Sequence, residues 1–181
     1  MVKKTGLAFL SLFLCLAATC QQIGYTTTDV GAELQGYPSG TQGTLHMALN
    51  AALHHSLQIR LGYETATRTS DIPHDREKAR GAGLGLGYRY YFTYRPHGLF
   101  LGARTDLYRL KTDWTSGSLT GTSKTWTLQP AAELGYMFLI NDQVFITPSV
   151  AAGYGTNLQT TGDRTWEGFL PMAGVSAGIK F

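Results

Sequence analysis

The chain has 181 residues, of which 15 are Lys or Arg and 12 are Asp or Glu. That length makes a single domain, and a charge this close to balance gives no case for a nucleic-acid partner. Both cysteines, Cys15 and Cys20, lie within the first 20 residues, so the rest of the chain can form no internal disulfide.

Lys3 and Lys4 precede an apolar run from Leu7 to Ala18, and small residues then lead to Cys20. Charged, hydrophobic and small-residue regions in this order are those of a secretory signal peptide. The run is too short for a spanning helix, which needs about 20 apolar residues. Residues 1–20 are therefore assigned to the signal peptide and 21–181 to one mature domain. Removing Lys3 and Lys4 from the 15 basic residues leaves 13 against 12 acidic ones. Cys20 is a possible site of lipidation, but Thr19 departs from the small residue that usually precedes a lipidated cysteine, which favours ordinary cleavage.

From Gly24 onward the chain alternates with period two, the mark of strands with one apolar face. The first runs from Gly24 to Gly36, with Val30, Ala32 and Leu34 opposed to Asp29, Glu33 and Gln35. A turn cluster at 37–43 follows, then a second strand from Thr44 to Ala51. The third sets Leu57, Ile59, Leu61 and Tyr63 against Gln58, Arg60, Gly62 and Glu64, and ends near Arg68. Residues 69–79 have no period and read as a long loop. The fourth strand opposes Leu84, Leu86, Tyr88, Tyr90 and Phe92 to Gly81, Gly83, Gly85, Gly87 and Arg89. Its glycines are not a phosphate loop, which would open a helix.

A short turn at 93–98 leads to the fifth strand, with Leu99, Leu101, Ala103 and Leu107 on one face and Gly102, Arg104 and Asp106 on the other. Residues 112–123 read as a second long loop. Trp126 to Phe138 is the sixth strand, carrying Glu133 on its polar face, and Asn141-Asp142 makes a tight turn into the seventh, Val144 to Tyr154. Residues 157–165 form a third long loop, and an eighth strand, Phe169 to Phe181, finishes the chain. Connections that alternate short and long along eight strands place short turns and both termini at one end and long loops at the other.

The eighth strand has Phe169, Pro171, Ala173, Val175, Ala177, Ile179 and Phe181 on one face and Gly174, Ser176, Gly178 and Lys180 on the other. This tail resembles the C-terminal strand of Gram-negative outer-membrane β-barrel proteins. The resemblance implies that Val175, Ile179 and Phe181 serve as the signal that the barrel-assembly machinery reads. Over its mature length the chain is similar to the small barrels of the OmpA and OmpX type, of the porin family. The fold expected is all-β: an eight-stranded, antiparallel, up-and-down transmembrane barrel in the bacterial outer membrane, a monomer among outer-membrane lipids.

Two features separate this from a soluble barrel, whose apolar face would point inward. Glycines crowd the polar face, and small residues are what a narrow eight-stranded lumen requires. Aromatics gather near both ends of the apolar face. Trp126 to Phe138 and Phe169 to Phe181 each span 12 residues, about 40 Å of strand and roughly 30 Å of height at the usual tilt, enough for an apolar band of about 25 Å.

The lumen then receives Glu33, Arg60, Glu64, Arg89, Arg104, Asp106, Glu133 and Lys180. Charges withheld from bulk water persist when paired, so these eight are expected to form an ion-pair network that plugs the barrel. The function expected is structural or surface-interacting, with the loops 69–79, 112–123 and 157–165 available to an extracellular ligand.

The alternative is a lipid-modifying or lipid-binding barrel. His54-His55-Ser56 and the run Ser70 to Asp75 contain the Ser and His that acyl transfer uses, but neither matches the pattern of the lipid A deacylases or palmitoyltransferases. No catalytic, cofactor or metal residue is assigned. Pro130, Pro148 and Pro171 lie on the lipid face of consecutive strands, where proline cannot donate a ladder hydrogen bond. They mark a possible lateral seam, similar to that of the palmitoyltransferase barrels.

Overall fold

A computed structural model describes residues 27–50, 53–69 and 74–181. Its eight strands are β1 (Thr27–Tyr37), β2 (Gly40–Asn50), β3 (His55–Thr69), β4 (Arg76–Tyr91), β5 (Gly98–Ser116), β6 (Leu119–Ile140), β7 (Val144–Thr161) and β8 (Gly168–Lys180). Each pairs antiparallel with the next and β8 returns to β1, which closes the ring. The segment assigned to the signal peptide, including Cys20, and residues 70–73 lie outside the described residues.

Period-two side chains send alternate residues to opposite sides of the wall. Leu34, Leu45, Leu84 and Val150 point outward, with Leu84 64% exposed, whereas Glu33, Arg60, Glu64 and Arg89 are buried. A water-soluble protein sorts its side chains the other way. An exterior of aliphatic residues is a surface for hydrocarbon, and in hydrocarbon every backbone N–H and C=O must find a partner within the protein. Ring closure supplies those partners without leaving an edge. At the junction the Thr28 N–H donates to the Phe181 carbonyl at 3.1 Å and the Phe181 N–H to the Thr28 carbonyl at 2.8 Å.

The connections differ from the sequence expectation. At 37–43 the chain turns in two residues, Pro38 and Ser39, between the end of β1 and the start of β2. Residues 112–123 are not a long loop: β5 and β6 stay paired up to Ser116 and Leu119, with Gly117 at φ 58° in the turn. Strand also runs through Thr69, resumes at Arg76 and extends β7 to Thr161, which leaves 162–167 as the connection between β7 and β8. Apolar alternation stops where a strand leaves the membrane, because both faces then meet polar surroundings. Polar contacts hold the overhang instead: Thr122 Oγ1 donates to Asp113 Oδ1 at 2.8 Å, and Trp114 Nε1 to Ser123 Oγ at 3.2 Å. The asymmetry between the two ends therefore comes from strands that overrun the band, more than from loop length.

At the end that carries Phe181, residues 92–97 and 141–143 make the turns, and Asn141 and Asp142 take φ of 52° and 57°. Their short polar side chains tolerate this left-handed backbone.

Phe181 contributes two closing hydrogen bonds, each worth about 1 kcal/mol net, and an aromatic at the lower rim. Its deletion is expected to reduce the fraction of chains that show the heat-modifiable, folded band on electrophoresis, both in cells and after refolding into micelles. Unchanged folded fractions in both settings would remove any special part for the last residue.

Candidate functional site

Below the rim of the apolar belt, β1, β3, β4, β5 and β6 present their charged residues at the inward parity, and these ionisable side chains meet in the lumen. Glycines at that parity make the space. At Gly102 an added Cβ would come within 2.7 Å of the Glu133 Cγ, and at Gly85 the Asp106 carboxylate occupies the place of a side chain.

Six charges from five strands meet in the middle. Arg60 reaches Glu33 at 2.7 Å and Asp106 at 3.1 Å. Arg104 lies 3.8 Å from Glu33, 3.7 Å from Asp106 and 4.0 Å from Glu133, and it also donates to Gln35. Arg89 pairs with Glu133 at 2.5 Å and stands 4.4 Å over the ring of Phe100. Three guanidinium groups thus face three carboxylates in one connected cluster. Arginine suits it, since a planar fork can serve two acids at once.

The other two charges singled out in the sequence stand apart. Glu64 accepts from Tyr37 at 2.5 Å and from Gln129 at 2.7 Å, with Arg68 at 3.8 Å. Lys180 sits toward the chain end, donating to the Pro96 carbonyl at 2.9 Å and lying 3.8 Å from Asp29. Asp29, Arg68 and Gln35 belong to these clusters and were absent from the set read in the sequence.

Apolar stoppers lie above and below the charges. Tyr91, Phe100, Met137 and Phe145 fill the lumen near the chain termini, and Ala66, Ala79, Tyr108 and Leu110 fill part of the far end. Parity alone had put these aromatics on the polar face, but periodicity does not tell a large ring from a small residue. A cap covers the far end: the His74 ring stacks on Trp114 with centroids 4.2 Å apart and bonds the Arg164 carbonyl at 3.1 Å. Arg68 lies 4.1 Å over the ring of Trp166, and the Trp166 backbone N–H donates to Glu77 Oε2 at 3.2 Å.

His54-His55-Ser56 does not form a nucleophile with its base. His54 Nδ1 meets the Tyr91 carbonyl at 2.8 Å, His55 Nδ1 meets the Tyr88 hydroxyl at 2.6 Å, and the Ser56 Oγ is buried with no hydrogen-bond partner. Among the described residues no three His, Cys, Asp or Glu side chains gather as a metal site.

The three prolines fall differently on the ladders. The β5–β6 ladder runs through Thr105 and Pro130, and the β7–β8 ladder through Pro148 with Val175 and Ala152 with Pro171. Between β6 and β7 the pairing skips from Leu128–Thr156 to Ala131–Gly153, and again from Gly135–Ser149 to Phe138–Ile146. Pro130 lies in the first gap, opposite Tyr154, and Pro148 in the second, opposite Tyr136. Both missing donors thus fall on one seam, β6–β7, where the register also shifts between Trp126 and Thr127. Pro171 lies beyond the end of the β1–β8 ladder, which stops at Gly36–Ala173. Behind the seam the lumen is apolar, lined by Ala131, Ala151, Leu170 and Met172. Val175, Ile179 and Phe181 all face outward, Phe181 being 73% exposed.

No family model matches the chain and no curated protein does. Solved structures do. The chain is similar to the N-terminal β-barrel domain of Pseudomonas aeruginosa OprF, at 16% identity and a TM-score of 0.53 over 86% of this chain and 97% of that one. It is similar to a major outer membrane protein from Thermus thermophilus, at 12% identity and a TM-score of 0.59 over 86% and 99%. It is also similar to Ail, the attachment invasion locus protein of Yersinia pestis, at 9% identity and a TM-score of 0.52 over 86% and 96%. At these identities the likeness is one of fold. The fold is that of a small outer-membrane β-barrel.

Removing one partner of a buried pair leaves an uncompensated charge, at a cost of about 3–5 kcal/mol, whereas removing both costs far less. Glu133→Ala is therefore expected to destabilise the barrel in urea titrations by that amount, and Arg89→Met/Glu133→Ala to recover a large part of it. A double variant as unstable as the sum of the two single ones would show that the pair is not coupled.

Proposed function

We propose that the chain is an integral protein of the bacterial outer membrane with a structural or surface-interaction role, its lumen plugged by its own side chains. The observation that carries this reading is the layering of the lumen. An aromatic cluster, a three-by-three charge cluster and a stacked cap follow one another along the axis. The first two layers consist of buried side chains held by partners on other strands and the half-buried cap closes over them, so in this reading ions meet neither an open path nor an unpaired ring of charge.

In this reading the Phe181 end faces the periplasm and the overhanging strands face the outside of the cell. Outer-membrane lipids surround the belt, and the outward set Val175, Ile179 and Phe181 serves as the signal to the barrel-assembly machinery. A closed ring offers no strand edge to a second copy, which favours a monomer. An extracellular ligand would meet the overhangs of β3–β4 and β5–β6 and the connection 162–167. Ail has been solved in complex with the heparin analogue sucrose octasulfate, and an exposed strand surface here is the counterpart on which a ligand could be sought.

Planar bilayers test the plug. Purified protein is expected to give no stable conductance, and Glu133→Ala to give none either while unfolding more easily. A lasting, charge-selective conductance that this substitution alters would replace the plugged reading with a pore.

A second reading keeps the same barrel and makes it lipid-binding, with lateral access through β6–β7. The two ladder gaps at Pro130 and Pro148 and the apolar lumen behind them support it. Amide hydrogen exchange in nanodiscs is expected to be faster for residues 129–137 and 147–155 than for the uninterrupted β3–β4 ladder. Equal protection of the two ladders would leave lateral access without support.

A further inference from the structure

Above the belt, the outward faces of β4, β5 and β6 change character within a few residues. Leu84, Leu107 and Leu128 are cross-strand neighbours in one row, Ala82, Arg109 and Trp126 in the next, and Arg80, Lys111 and Lys124 in the third. Lys78, Asp113 and Thr122 follow. Two residues of strand are about 6.8 Å, or roughly 5 Å of height at the tilt of such barrels. The row of three cations therefore lies just beyond the aromatic rim marked by Tyr63 and Trp126, at the level of lipid headgroups.

Like charges placed directly opposite one another on neighbouring strands are destabilising. Six cations, Arg76, Lys78, Arg80, Arg109, Lys111 and Lys124, nevertheless share this face with one acid, Asp113. Asp113 lies 4.0 Å from Arg80 and 3.5 Å from Lys111, and Thr122 holds its carboxyl below the usual range by donating a hydrogen bond, so it counts as one full negative charge. Asp75, just before β4, accepts from the Gly117 N–H at 2.7 Å and is taken up with the β5–β6 turn. The side chains of Arg80 and Lys111 are 61% and 48% exposed. A nearly neutral chain has thus concentrated positive charge on one side of one rim, where its own acids cannot balance it.

The same face is hollowed. Thr41, Thr65, Thr67, Lys78 and Arg80 line a depression of 640 Å³, and across Lys78 and Asp113 a second of 390 Å³ is lined by Arg76, Thr120 and Thr122. Hydroxyls beside cations suit a phosphorylated sugar, since a guanidinium takes two phosphate oxygens at once and the hydroxyls can bond the ring. Arg109 stands 5.8 Å from the Trp126 ring at the rim, which makes the cations continuous with the leucine belt below. A ligand that fills both the hollows and the belt carries its phosphates on acyl chains.

We propose that the outward rim of β2–β6, centred on Arg80, Lys111 and Lys124, binds the phosphorylated sugar headgroup of an acylated glycolipid in the surrounding leaflet. The proposal rests on the reading of the chain as a membrane-embedded barrel and adds an asymmetric lipid site to it. One side of the barrel carries such a lipid, and the side formed by β8 and β1 does not.

The test uses the full mature chain in detergent micelles, titrated with bis-phosphorylated lipid A, its dephosphorylated form, inorganic phosphate and a heparin oligosaccharide, with bound ligand read by native mass spectrometry. The bis-phosphorylated lipid is expected to be retained. Arg80→Gln/Lys111→Gln/Lys124→Gln should weaken its binding on the order of a hundredfold, since each surface charge contributes up to about a factor of ten. Asp113→Asn should strengthen it, a change of opposite sign that misfolding would not produce. Equal retention of the dephosphorylated lipid, or no loss in the triple variant, overturns the proposal. Retention of heparin with no retention of lipid overturns it in favour of a soluble polyanion, and retention of inorganic phosphate alone reduces the patch to an ion site. The heat shift on electrophoresis separates the two levels: if it is kept while lipid is not bound, only the lipid site fails, and if wild type itself shows none, the barrel reading fails.

Discussion

A backbone amide that enters hydrocarbon has no water to bond, and this one constraint orders the whole molecule. It forces each strand to pair on both sides and so forces the chain to come round upon itself, which it does where Thr28 and Phe181 exchange hydrogen bonds. A ring of eight strands is narrow, so half of all strand side chains are driven into a space that cannot hold them unless many are small. Gly85 of β4 opposite Asp106, and Gly102 beside Glu133, are the consequence. Charged residues inside are then tolerable only with partners on other strands, and Arg60, Arg89 and Arg104 provide them.

The weak place in this scheme is where the constraint is not fully met. Proline donates nothing, and Pro130 and Pro148 both withhold a donor from the same β6–β7 ladder. Tyrosine rings stand opposite each of them. The neighbouring ladders run on without interruption through the same residues. The defect is confined to one line of the wall, and the side chains packed behind that line are Ala131, Ala151, Leu170 and Met172.

Period two made the fold legible in the sequence. The strand count and the inside–outside assignment of residues such as Leu84 and Arg89 follow from it, because a half-buried strand cannot conceal its parity. Other features were hidden for physical reasons. The overhang from Thr112 to Ser123 has no apolar alternation, since its outward face meets water and its inward face buries polar side chains such as Thr112 and Ser123, and only cross-strand partners such as Asp113 and Thr122 reveal it as paired. The partners within the lumen depend on the stagger of the ring: Arg60 of β3 meets Glu33 of β1 and Asp106 of β5, and no linear spacing connects those three. Tyr91, Phe100 and Phe145 share the parity of the polar residues, so their role as stoppers needed three dimensions. The row Arg80–Lys111–Lys124 likewise exists only once the register is known.

The two-residue turn at Gly117 and Ser118 gives the outer surface a particular kind of variability. A floppy loop can change by gaining or losing any number of residues, but a paired ribbon loses its facing if a single residue is inserted in one strand. The β5–β6 overhang is therefore free to vary by exchange of side chains and poorly free to vary in length. A protein that docks on the outward face of this overhang would read Lys111, Asp113, Thr122 and Lys124, and would never touch Thr112 or Ser123, which lie between them in the chain and behind them in space.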